Sequence, residues 1–362
     1  MKKKLVLFLS LILMVSMVFA GCGAKEEPKA AEETKEAPKS AEEAPKATEE
    51  KKEEISVSLV VAGGLGDRSF YDSSNEGIEM AKEKLGAKTT VLECKNDPSL
   101  FSDQLIAASE RSEVIVVVGF EFYDVIQEVA KEFTDKNYIY IDNVIEGVPN
   151  ITCIDYMENE GSFLAGALAA MATTDESIEG MNAEAKIGMV GGMDIPVIRN
   201  FQVGYEAGAK HINPDVVVET IFAGDFEDPA KGKESALALY AKGVDIVFQV
   251  AGKTGEGVFE AAKDSEQYAI GVDSDQRYIN PDNIMASMVK GVGLSIYESL
   301  ERIQKGEFKA GSVYQYGINE NGVDVAFGTE DMKQIVTEDM IKKVNELKEK
   351  IKTGEITIPE AK

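Results

Sequence analysis

From residue 55 onward, short apolar runs alternate with longer amphipathic stretches, and this alternation predicts the fold class before any single residue is considered. The run Ile55-Ser56-Val57-Ser58-Leu59-Val60-Val61-Ala62 is β-rich and ends in Gly63-Gly64-Leu65-Gly66, as a buried strand entering a loop does. Comparable runs at 89–94, 114–118, 138–142 and 151–154 are separated by helical patterns such as those over 75–85 and 124–133. After a helix over 161–171 comes a second series, with strands at 186–190, 216–222, 244–250 and 268–272 and helices near 196–210, 229–242 and 255–263. Strands that alternate with helices form parallel sheets covered on both faces. The chain is therefore expected to be α/β, with two doubly wound lobes of four or five strands each, a hinge and an interdomain cleft. Segments at 283–288, 292–304, 312–316 and 323–327 are too few for a third lobe and are expected to return to the first two. The expected boundaries are 55–157 with about 284–310 for lobe 1, and 158–283 with about 311–362 for lobe 2.

Before residue 55 the pattern changes. Lys2, Lys3 and Lys4 precede an apolar stretch from Leu5 to Ala20, broken only by Ser10 and Ser16, and Phe19-Ala20-Gly21-Cys22 follows. A charged start, an apolar middle and a small-residue end make an export signal over residues 1–21. The stretch is shorter than the roughly 20 apolar residues that span a bilayer. It resembles a bacterial lipobox, with Phe19 where Leu is commoner, and the resemblance implies cleavage before Cys22 and lipid on its sulfur. The protein is then expected on the extracytoplasmic face of the cell membrane. Residues 25–54 contain Pro28, Pro38 and Pro45 among charged residues and no apolar side chain larger than Ala. Such a segment cannot bury enough surface to offset its ordering entropy, so residues 22–54 read as a solvated acidic tether.

Charge narrows the function. Acids outnumber bases 64 to 38, for a net charge of −26, which argues against a nucleic-acid partner and disfavours an anionic ligand. The single histidine, His211, leaves no basis for a His-built metal site or a Ser-His-Asp triad, and it reads as a helix-end residue. No cofactor, no metal and no enzymatic activity are expected. Cys94 and Cys153 each close an apolar run and read as small buried hydrophobes.

Three glycine-rich or acidic stretches fall short of known signatures. Gly63-Gly64-Leu65-Gly66 lacks the G-x-G-x-x-G spacing, with Ser69 at the third position, and Ala251-Gly252-Lys253-Thr254-Gly255 has Val247 where a phosphate loop needs its first glycine. Asp273-Ser274-Asp275-Gln276 lacks the closing glutamate of a calcium loop. What these places share is position: Asp67, Asp142, Gly191, Gly252 and Asp273 all follow strands. Ligands of open parallel sheets bind there, so two facing lobes would line one cleft.

Six ordered blocks carry a family resemblance: Gly66-Asp67-Arg68-Ser69-Phe70; Glu160 to Gly166; Val190 to Ile198 with Phe201; Asp228 to Lys233; Ala251 to Gly255; and Gly271 to Gln276. Across nearly all of 55–330 the sequence resembles the basic membrane protein family of substrate-binding lipoproteins, in particular the purine nucleoside receptor A-like group. The resemblance implies a type I periplasmic-binding-protein fold, an ABC permease as partner, a purine nucleoside as ligand and a monomer. It implies that Phe70 and Phe201 sandwich the base, and that Asp67 and Asp142 accept hydrogen bonds from its edge. Asp273 would hold the ribose diol, Lys290 would donate to a sugar oxygen, and Gly252 would let the backbone approach the sugar. Tyr71-Asp72 departs from the family's Asn-Asp or Asn-Gln, so a phenol replaces an amide and the preferred base stays open. Another small polar solute, a sugar or a flavin-like compound, is the alternative within the fold. An extracellular nucleoside-acting hydrolase using Asp273 and Asp275 is the alternative outside it, disfavoured by the lack of a histidine base.

Overall fold

The computed structural model describes residues 54–182 and 184–361; the signal segment, Cys22 and the tether up to residue 53 lie outside the described residues. The first sheet forms from β1 (Ser56–Val61), β2 (Lys88–Glu93), β3 (Val114–Val118), β4 (Asn137–Ile141) and β5 (Ile151–Tyr156), connected through helices α1 (Phe70–Leu85), α2 (Pro98–Arg111) and α3 (Tyr123–Glu132). Its central strand β3, Val-Ile-Val-Val-Val, is buried along its whole length, as a parallel strand covered on both faces must be. The chain then crosses through α4 (Glu158–Ala172) into a second sheet of β6 (Lys186–Gly191), β7 (Val217–Phe222), β8 (Ile246–Val250), β9 (Tyr268–Asp273) and β10 (Ile284–Lys290). Helices α5 (Pro196–Ile212), α6 (Pro229–Tyr240) and α7 (Thr254–Asp264) connect the first four of those strands. Finally come α8 (Val292–Gln304), β11 (Val313–Tyr316), β12 (Val323–Ala326) and α9 (Glu338–Lys352).

Each sheet has six strands, in the orders β11-β5-β4-β3-β1-β2 and β12-β10-β9-β8-β6-β7, where the sequence pattern suggested four or five. The extra strands are the late segments. β11 adds in parallel to β5, and β12 adds antiparallel to β10. Two expected boundaries need correction. Residues 284–290 pair with β9 in the second sheet and not with lobe 1, while 313–316 join the first sheet and not lobe 2. An apolar run of four to seven residues specifies a strand but not the sheet whose edge it completes. The chain thus passes between lobes three times, after β5, after β10 and after β11.

Two buried features fix this arrangement. α4 is buried nearly all round and packs against α5, α9, β10 and β12. Arg277, fully buried, donates to the carbonyls of Pro281, Ile284, Phe327 and Lys333, which ties the segment after β12 onto the second lobe. Cys94 and Cys153 are free and buried, and His211 sits in the last turn of α5 beside the Phe163 ring.

Candidate functional site

Loops and strand ends from both sheets line one cavity, a concave site between two lobes of the kind in which small molecules bind. Asp67, Phe70, Asp142, Phe201, Gly252, Asp273 and Lys290 all lie in its lining; Gly191 does not.

Asp67 follows β1 and is turned toward its own chain. Its Oδ1 accepts the backbone N–H of Ser69 at 3.1 Å and of Asp72 at 3.0 Å, and its Oδ2 accepts that of Tyr71 at 2.9 Å. These are the orphan amides of a helix start, so Asp67 caps α1 and sets Phe70, the first residue of that helix, at the cavity. Burial pushes its carboxyl up to about 7, with the Tyr71, Asp72 and Ser69 amides opposing.

Asp142 directly follows β4 and Asp273 ends β9, with φ of 68° and 65°. Left-handed backbone is uncommon outside glycine and concentrates at binding loops. Between them lies Lys290, the last residue of β10. Its Nζ is 2.8 Å from Asp142 Oδ2 and 3.7 Å from Glu158 Oε1, so the ion pair joins the two lobes. The same Nζ lies 4.8 Å from the Phe70 ring centroid, 5.3 Å from that of Phe201 and 5.2 Å from that of Tyr156. A desolvated ammonium over aromatic faces gains about 2 kcal/mol or more. Burial alone would lower the Lys290 pKa, but Asp142, Glu158 and Asp273 outweigh it and hold the ammonium above its ordinary range. One cation cannot serve three buried carboxylates equally. Burial therefore still raises Asp273, against Lys290 and the Ser69 hydroxyl, and raises Glu158 well above its usual range.

The lobes touch at the cavity mouth. The Ser69 hydroxyl donates to Asp273 across the cleft, and the Arg68 carbonyl accepts from Ser274 Oγ at 3.1 Å and from Gln276 Nε2 at 2.9 Å. Arg68 also pairs with Glu256 at 3.6 Å. This is a closed arrangement, with Asp273 engaged by a hydroxyl from the opposite lobe.

Sequence reasoning missed part of the lining: Phe120, Glu121, Asn143, Phe226 and Glu227. Phe120 and Phe226 form a second aromatic pair across the lobes, with centroids 6.4 Å apart. The signal was available for Phe120 and Glu121, which follow β3 after one intervening residue, and weaker for Phe226 and Glu227 in a longer loop. Tyr71 is buried and its phenol is held above its ordinary range by burial first, then by Glu121, Glu227 and Asp67. Five carboxylates against Lys253 and Lys290 give a lining that suits a neutral ligand rich in hydrogen-bond donors and repels phosphate. Among the described residues no group of three or more His, Cys, Asp or Glu side chains is placed to hold a metal ion.

The family profile described as ABC transporter substrate-binding protein PnrA-like, Bmp, matches residues 54–362. The chain belongs to the Bmp family. Basic membrane protein A of Borreliella burgdorferi is 32% identical over 84% of this chain and 88% of its own length. The ABC transporter nucleoside-binding protein BmpA of Lactococcus lactis is 29% identical over 99% of each chain. In three dimensions the chain is similar to the crystal structure of an ABC transporter system solute-binding protein from Aeropyrum pernix K1. The TM-score is 0.77 with 28% sequence identity, covering 85% of this chain and 94% of that one. This Bmp protein thus has the type I periplasmic-binding-protein fold and is an extracytoplasmic substrate-binding component of an ABC transporter, with a small-molecule ligand and a permease as partners.

Proposed function

We propose that this Bmp-family protein captures a purine nucleoside in the cleft and is held at the membrane by lipid on Cys22. The observation that carries the reading is that Phe70 from one lobe and Phe201 from the other flank the same buried ammonium, at 4.8 and 5.3 Å. A planar base between two such rings gains about 0.5–1.5 kcal/mol per aromatic pair beyond area burial. Asp273 accepts from both hydroxyls of a ribose diol, and Lys290 donates to a sugar oxygen. Gly252, at φ 55°, brings backbone to the lining where a side chain would be strained. The Lactococcus lactis relative, described as nucleoside-binding, supports the same reading.

A hydrogen bond to a charged group contributes roughly 1.5–3 kcal/mol, so Asp273→Ala is expected to weaken nucleoside binding about ten- to a hundredfold. Phe201→Ala loses stacking and burial together. Calorimetry checks both, and nucleoside affinity unchanged by the two substitutions would remove the assignment. Cys22→Ser is expected to leave the protein folded and unanchored in a membrane partition assay; lipid labelling that survives the substitution contradicts the anchor.

A further inference from the structure

The cavity does not end at Asp142. A second, more open chamber continues from it past Phe120, Asn143 and Val197, which line both. Lys290 lines the first chamber, Glu158 lines the second and Asp142 lines both, so the Lys290–Asp142–Glu158 cluster forms the partition between them.

Glu158 opens α4 and its side chain is only 3% exposed. Its Oε2 accepts from Asn200 Nδ2 at 2.9 Å, and Asn200 Oδ1 accepts from the Ala361 amide at 3.3 Å, so the carboxyl is fixed from behind by α5 and the C-terminal segment. Its Oε1 and the Asp142 Oδ1 are buried without a hydrogen-bond partner. Buried carboxylate oxygens require donors. A proton on Glu158 meets that need in part, since burial and then the neighbouring Asp142 raise the affinity of Glu158 for one. A donor arriving from a ligand meets it fully. Three carboxylates, Asp142, Glu158 and Asp273, face the single Lys290 ammonium, so a second cation improves the balance of charge. The other polar groups of the second chamber include Asp155, Glu360 and Asn200, and among the described residues its lining carries no lysine or arginine.

We propose that Glu158, together with Asp142, which then serves the sugar and not the base edge that the family resemblance implied, is a ligand-contacting subsite for the 5′ end of the bound nucleoside, taking a 5′-hydroxyl and, more tightly, a 5′-ammonium. This rests on the nucleoside reading. With the diol on Asp273 and Lys290, the 5′ position is the remaining sugar position that bears a donor, and the second chamber receives whatever extends from it. An anionic 5′ group is repelled by the same pair.

The test is calorimetry on the intact protein with whichever of adenosine, guanosine or inosine binds most tightly, alongside its 5′-deoxy and 5′-amino-5′-deoxy analogues. The 5′-amino compound is expected to bind at least about tenfold more tightly than the 5′-deoxy compound, the size of one charge-assisted hydrogen bond. In Glu158→Gln, which keeps the shape of the side chain, that ratio is expected to fall below about threefold, less than half of the same interaction. Equal affinities for the two analogues in the wild-type protein, which needs no variant to fold, overturn the subsite and leave the nucleoside reading standing. So does an unchanged ratio in Glu158→Gln. Failure of all three parent nucleosides to bind overturns both.

Discussion

Both oxygens of Asp67 accept amides of its own chain, from Ser69, Tyr71 and Asp72, and this has a consequence for stability. Its carboxyl rises from 3.8 to about 7 on folding because burial outweighs the three amides. The folded state therefore binds this proton more tightly than the unfolded one. The stabilisation is fully present below about pH 4 and is lost as pH rises through about 7. Asp67→Asn fixes the group neutral, so the stability of wild type relative to Asp67→Asn is expected to fall between pH 4 and pH 8 in urea denaturation. A difference that is flat or rises with pH contradicts burial as the dominant effect. At this scale the rule that ligand loops follow strands pointed to Asp67, Asp142, Gly252 and Asp273, and the family resemblance added Phe70, Phe201 and Lys290; all seven line the cavity. Neither pointed to Glu158. In Met157-Glu158-Asn159-Glu160 an acid opening a helix reads as ordinary helix-dipole chemistry, and only the chain crossing brings it to Lys290.

α4 and α5 meet backbone to backbone. A Cβ on Gly208 falls 1.9 Å from the Phe163 carbonyl oxygen, and one on Gly166 falls 2.0 Å from that of Tyr205. α5 carries Phe201 and Ile198 into the cavity and Asn200 to Glu158, so the helix contact sets the site. Gly208→Ala must separate the helices, and overpacking of this kind costs about 1–3 kcal/mol or more. It is expected to reduce both stability and nucleoside affinity. Gly86→Ala, at the left-handed C-cap of α1 with open space around it, is expected to cost about 1–2 kcal/mol and leave affinity intact. Urea denaturation and calorimetry on both variants check this; equal affinity losses in the two, or a Gly208→Ala protein as stable as wild type, contradict it. The strands and most helices were legible as periodic runs. α1 begins five residues earlier than its apolar pattern, at Phe70, because the Asp67 cap extends it. α9 was missed although Met340, Val344, Leu347 and Ile351 recur at i, i+4, i+7 and i+11 among Lys and Glu, the stripe of a helix packed by one face.

Two six-stranded sheets are joined by three crossings and held together by a set of contacts across the mouth of the cleft. The two lobes and their repeated crossings were readable from the number and order of strands. The sheet that each late strand joins was not, since pairing partners are set by edges that only the fold creates. The contacts across the mouth were also hidden, because the Arg68 carbonyl and the Ser274 and Gln276 side chains that meet there are about 200 positions apart. The central claim is that this cleft selects a neutral purine nucleoside by stacking its base and holding its ribose among carboxylates. Calorimetric titration of the wild-type protein with adenosine, guanosine and inosine, with their 5′-monophosphates and with free ribose tests it most directly. At least one nucleoside is expected to bind about tenfold or more tightly than both its monophosphate and ribose, a difference of roughly 1.4 kcal/mol. Preference for ribose or for the monophosphates, or no binding of any purine nucleoside, would contradict it.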